Sequence, residues 1–145
     1  MGPSQSGKTH LISQMSKLPI NDTTIIGADM ILASMVIDGI DHDIIFFDTS
    51  GTVRFLDMAR SFDNMITVFV VIINNYIENY LFYKKLKEIL NTIDRHIIFV
   101  NGADILHNVT YNLFNVKSCD LISINDTFKI QQKILSAHKN KKLSN

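Results

Sequence analysis

A chain of 145 residues, 46% hydrophobic and 19% charged, is long enough for one compact domain and too apolar to remain disordered. Fourteen basic residues balance fourteen acidic ones, which excludes a general electrostatic attraction toward nucleic acid or anionic membrane. The longest apolar run, residues 65–73, falls far short of the roughly 20 residues that cross a bilayer, and no charged-then-apolar signal opens the chain, so a soluble cytoplasmic protein is expected.

The chain opens on Gly2-Pro3-Ser4-Gln5-Ser6-Gly7-Lys8-Thr9, which fills the pattern Gly-x-x-x-x-Gly-Lys-Thr. The glycines allow the backbone to curl into a nest of inward-pointing N–H groups, and a helix leaving the nest adds the positive end of its dipole. In such a loop Lys8 supplies a point charge near the β- and γ-phosphates of a nucleotide, and the Thr9 hydroxyl is a ligand for a bridging magnesium ion. Leu11, Ile12 and Met15 share one helical face behind it. The strand that should feed the loop is missing, because only Met1 precedes Gly2.

Residues 18–24 carry a proline and several turn formers and read as a loop. Residues 25–37 read as a strand, Asp38-Gly39 as a hairpin turn, and residues 44–47 as an antiparallel return. Asp48 then stands at the end of a buried strand with Gly51 one short turn later, where a second, magnesium-associated carboxylate belongs. Residues 53–64 read as a helix with Phe55, Met58, Ala59 and Phe62 on its inner face. The run 65–73 is a strand covered on both faces. Residues 77–90 give the clearest helix, with Leu81, Leu86, Ile89 and Leu90 inward and Lys84, Lys85, Lys87 and Glu88 outward. A strand follows at 96–100, a short helix between 106 and 116, a strand at 120–124, and a last helix at 126–138 with Asp126 at its N-terminal end. Cys119 cannot form an internal disulfide and is expected at the start of the last strand as a small apolar residue. The five histidines show no spacing typical of a zinc site. Alternating strands and helices predict an α/β domain with helices on both faces of the sheet and a ligand at the C-terminal ends of the strands.

The order of the 2–9 loop, Asp48-Thr49-Ser50-Gly51, Asn101-Gly102-Ala103-Asp104 and Ser123-Ile124-Asn125 resembles that of the Ras-like small GTPases, the Rab branch most closely, over nearly the whole chain. Thr24-Ile25-Ile26-Gly27-Ala28-Asp29 is similar to the Rab stretch Thr-Ile-Gly-Val-Asp with one extra residue, and residues 47–55 are similar to Trp-Asp-Thr-Ala-Gly-Gln-Glu-Arg-Phe. The resemblance implies a P-loop three-layer sandwich, with a mostly parallel sheet, an antiparallel edge hairpin and the first strand missing. It implies GTP or GDP with Mg2+ as ligands, held by Gly2, Ser4, Gln5, Ser6, Gly7, Lys8 and Thr9. Thr24 and Asp48 would act on the metal with Thr9, and the Gly51 amide would face the γ-phosphate. Asn101 and Asp104 would read guanine, and the Ile124 amide beside Ser123 would donate to the guanine oxygen.

Several departures from the pattern carry their own implications. Thr52 occupies the place of the glutamine that positions attacking water and is too short for that role. Intrinsic hydrolysis in this class is already on the order of 10⁻⁴ per second, so little or none is expected. Gly102 replaces a lysine that packs along the base, which implies weaker nucleotide affinity. No cysteine near the C-terminus is available for prenylation, so any place on a membrane, as in vesicle trafficking, would come through partners. The absent first strand is expected to reflect truncation of a longer domain, since the rest of the core pattern is intact. Two functions follow from different classes: a guanine-nucleotide-dependent switch with weak or absent hydrolysis, or a nucleotide-poor pseudo-GTPase that acts as an interaction module or decoy for Rab regulators. A nucleotide site without guanine preference is the third alternative.

Overall fold

The computed structural model describes residues 1–17, 27–74, 78–93, 95–102, 114 and 121–143. The chain folds as α1 (Lys8–Ser16), β1 (Ala28–Ile37), β2 (Ile40–Thr49), a stretch of short turns from 53 to 65, β3 (Val68–Ile73), α3 (Tyr80–Leu90), β4 (His96–Asn101), β5 (Leu121–Ser123) and α4 (Thr127–Leu143), with α2 (Met58–Ser61) a single turn inside that stretch. This is an α/β arrangement containing two sheets. The β1–β2 hairpin is antiparallel, and β3, β4 and β5 form a parallel sheet in that order.

The hairpin forms where Asp38-Gly39 predicts it. Asp38 (φ 53°) and Gly39 (φ 77°) both take positive φ, as a type I′ two-residue turn requires. The register pairs Ile37 with Ile40 and runs to Ala28 opposite Thr49. The tip is held against the last helix by a hydrogen bond of 2.6 Å from Gln132 Nε2 to Asp38 Oδ1.

Alternation along β3 and β4 divides the core into two layers. Ile72, Ile98 and Val100 face α1 and α4, where they join Leu11, Met15 and Ile130. Val71 and Ile73 face the opposite way and pack on Phe82, Tyr83, Leu86 and Ile89 of α3. Helices thus cover both faces of the parallel sheet. Asp126 starts α4 as expected, its Oδ1 accepting from the Lys129 amide at 3.1 Å.

Four expectations need correction. The antiparallel hairpin is not an edge of the parallel sheet but a separate sheet. Residues 53–64 do not form one helix. Leu56 is buried in the α3 layer while Phe62 stacks on Phe47 of β2 at 4.9 Å between ring centroids. A continuous helix would set those two residues about a third of a turn apart on one rod, so the segment breaks into short turns that satisfy both anchors. The strand expected from Met65 begins at Val68, which pairs with His96 at the start of β4. Leu81 is 71% exposed, displaced from the inner face of α3 by Phe82 and Tyr83. The expected short helix at 106–116, apart from Phe114, and Cys119 lie outside the described residues.

Tyr83 closes the end of β3. Its buried hydroxyl accepts from the Asn74 amide at 2.7 Å and donates to the Asn74 carbonyl at 2.8 Å, and burial pushes its pKa up to about 12. Phenylalanine at this position would keep the packing and orphan two backbone groups. We expect Tyr83→Phe to lower unfolding free energy by about 1–3 kcal/mol in a urea titration, with no change in slope.

Candidate functional site

The 2–9 loop curls tightly. Gln5 (φ 59°) and Gly7 (φ 88°) are left-handed, and the Ser6 amide donates back to the Pro3 carbonyl at 3.3 Å. Such alternation turns successive N–H groups to the inside of the curve. Gly7 then leads into α1, whose first-turn amides have no partner within the helix, and the Leu11 amide makes the first helical bond to the Gly7 carbonyl at 2.8 Å. Lys8 reaches back over the loop, its Nζ donating to the Pro3 carbonyl at 2.7 Å. Burial is the main reason its pKa falls to about 8, and Asp48 partly opposes that fall.

The end of β2 is brought against this loop. The Thr9 hydroxyl donates to Asp48 Oδ2 at 2.6 Å. Asp48 is 1% exposed, and its other oxygen, Oδ1, is buried with no hydrogen-bond partner. A buried carboxylate oxygen without a donor is costly, and beside a hydroxyl it is the oxygen donor set that suits a hard divalent cation. Ser6 Oγ is buried and unpartnered in the same way. Among the described residues, no three His, Cys, Asp or Glu side chains gather into a group that could hold a metal ion.

Gly51 lies directly on the loop. A Cβ there would fall 2.0 Å from the Ser4 nitrogen and 2.3 Å from the Pro3 carbonyl carbon, so no side chain fits without displacing backbone. Thr52 is exposed, its hydroxyl 3.2 Å from that of Ser50.

The strand ends of the parallel sheet approach from the other side. Asn101 pairs with Ser123, and the Ile124 amide donates to the Asn101 carbonyl at 2.9 Å. Asn101 Oδ1 is buried without a partner, while Ser123 Oγ accepts from the Asn125 amide at 3.3 Å. Ile124 Cδ1 sits 3.2 Å from where a Gly7 Cβ would be, which places the end of β5 against the loop. At Gly102, an added Cβ would come within 3.1 Å of the Ile73 carbonyl, so the position is tight. Gly2, Ser4, Gln5, Ser6, Gly7, Lys8, Thr9, Asp48, Gly51, Asn101, Ser123 and Ile124 therefore gather at one end of the strands. Thr24 and Asp104 lie outside the described residues.

Sequence reasoning did not anticipate the contact between Gly51 and the Pro3–Ser4 backbone, nor the buried Ser6 hydroxyl. The small residue at 51 was the available signal for the first. No family model matches the chain, and no curated protein matches it.

The close approach at Gly51 makes a direct prediction. Gly51→Ala must push the turn after β2 off the loop, and we expect a loss of about 1–3 kcal/mol in chemical denaturation together with faster proteolytic cleavage near residue 51.

Proposed function

We propose that this protein is a guanine-nucleotide-binding switch of the small-GTPase type, with a P-loop sandwich fold and weak or absent hydrolysis. The observation that carries the reading is the Thr9–Asp48 hydrogen bond with Asp48 Oδ1 left without a donor, set beside the curled 2–9 loop over which Lys8 reaches.

The 2–9 loop would hold the phosphates through backbone amides and Lys8. Thr9 and Asp48, with Thr24, would hold Mg2+, which when bound neutralises phosphate charge. Asn101, Asp104 and the 123–124 turn would face the base, and the unpartnered Asn101 Oδ1 supports a polar ligand there. Thr52 is exposed and its hydroxyl lies within hydrogen-bond distance of Ser50, which favours binding without turnover. Order in the segments around Thr24 and Gly51 would report the γ-phosphate.

The second reading, an interaction module with little nucleotide, is favoured by the split between the two sheets and by the Ile124 amide being engaged with Asn101. No helix among the described residues is long and apolar enough to cross a membrane.

Heat denaturation of the purified protein and chromatography of the supernatant separate these readings. Stoichiometric GDP or GTP is the expected result. An empty protein that also fails to bind a fluorescent guanine nucleotide favours the interaction module, and adenine nucleotide would mean a site without guanine preference.

Lys8 adds a pH dependence whose sign is fixed. Its pKa is about 8 in the ligand-free loop, and a polyanion favours the charged form, so binding above that pH requires proton uptake. Affinity for a fluorescent guanine nucleotide should be flat below pH 8 and fall as pH rises past it, by up to about tenfold per unit. Lys8→Met should abolish that slope.

A further inference from the structure

Strand β1 pairs with β2 along one edge, and among the described residues no strand pairs with its other edge. That free edge faces away from the parallel sheet. The cavity of about 440 Å³ between β2 and β3 is lined by residues 42–49 and 65–70, and by β1 only at Ile37.

The pairing of the hairpin identifies the backbone groups on the free edge. A two-residue turn makes Ile37 and Ile40 a hydrogen-bonded pair, and bonding then alternates along an unbroken register. At the far end the Ser50 amide donates to the Gly27 carbonyl at 2.7 Å, so the alternation holds along the whole strand. Odd-numbered residues therefore bond to β2, while Met30, Leu32, Ser34 and Val36 turn their N–H and C=O groups to the free edge. The side chains of these four stand on the solvent face, with Met30 66% and Leu32 73% exposed.

A free edge is ordinarily blunted by a charge, a proline or a bulge. The stretch from Met30 to Ile37 has none of the three. Its only acidic neighbours, Asp29 and Asp38, lie just outside it. Bare backbone donors and acceptors beside large aliphatic side chains make an acceptor for another strand.

We infer that this edge is the pairing surface for a second copy of the chain, joined antiparallel about a two-fold axis at Ala33. The two hairpins then form one continuous sheet. The strand is complementary to itself, which is the argument for a second copy. About that axis Met30 lies opposite Val36 of the second copy, Leu32 opposite Ser34 and Ile31 opposite Met35, so uncharged residues meet throughout. Asp29 meets Ile37 and not another acid. Leu32 also faces Ile45 within its own hairpin, and Ile45 is exposed, so the apolar stripe runs on across both copies. A foreign strand could take the same hydrogen bonds, but nothing would match its sequence to this order of apolar and acidic positions. The inference stands apart from the nucleotide reading.

The test combines analytical ultracentrifugation with amide hydrogen exchange resolved by NMR, from about 10 μM to about 1 mM protein, because one strand pair buries little area and binds weakly. The mean mass should rise toward that of two copies. Exchange at Met30, Leu32, Ser34 and Val36 should slow about tenfold or more over the same range. Leu32→Lys changes an exposed side chain and should weaken association at least about tenfold. Ser34→Pro removes an N–H that the β1–β2 ladder does not use, and should do the same while the hairpin remains. A monomer at every concentration overturns the assignment, as does a dimer that both variants leave unchanged. Growth beyond two copies overturns the closed two-fold pairing. Protection of the four amides that is already complete at the lowest concentration, in a monomer, means that the chain's own residues cover the edge and also overturns it.

Discussion

Strand β3 carries side chains into both core layers, and every other element takes its place from that alternation. Ile72 reaches the layer under α1 and α4, while Val71 and Ile73 reach the layer under α3. Polar groups cannot enter such a strand without leaving an unsatisfied group in one layer or the other, so its sequence is a continuous run of Val, Ile and Phe. The chain reverses direction at its end, where the Tyr83 hydroxyl holds both backbone groups of Asn74.

The candidate site forms because several chain ends arrive at the same place. The 2–9 loop leaves Met1 beside β3, Asp48 comes from the end of β2, and Asn101 and Ile124 come from the ends of β4 and β5. Regular elements end here, where the loop meets the ends of β2, β4 and β5. Three buried side-chain oxygens there have no partner, Ser6 Oγ, Asp48 Oδ1 and Asn101 Oδ1. Such groups are costly to leave bare, which is why they mark the place where a polar ligand would be accommodated.

Much of this was legible in the residues. Asp38-Gly39 between two apolar runs specifies the turn, and the run from Val68 specifies a strand covered on both faces. The glycine pattern of the first loop is local chemistry and is read directly from positive φ at Gln5 and Gly7. What escaped depends on contacts distant in sequence. The 53–64 segment has helical spacing, but Leu56 and Phe62 are drawn to different anchors. Leu81 fits the helical stripe as well as Phe82 does, and the larger aromatic pair takes the interior. Separation of the hairpin from the parallel sheet depends on strand neighbours that no local pattern encodes.

The tight turn at Asp38-Gly39 governs a carboxylate at the far end of the same hairpin. Because β2 has no ladder to the parallel sheet among the described residues, no strand pairing there counts its residues into place. Its register comes from β1, and the turn sets the register of β1 against β2. A slip of one residue would carry Asp48 from the buried face to the opposite one and separate it from Thr9. The loop tip, with the Gln132 amide holding Asp38, is therefore a ruler for the site, ten residues away from the group it positions.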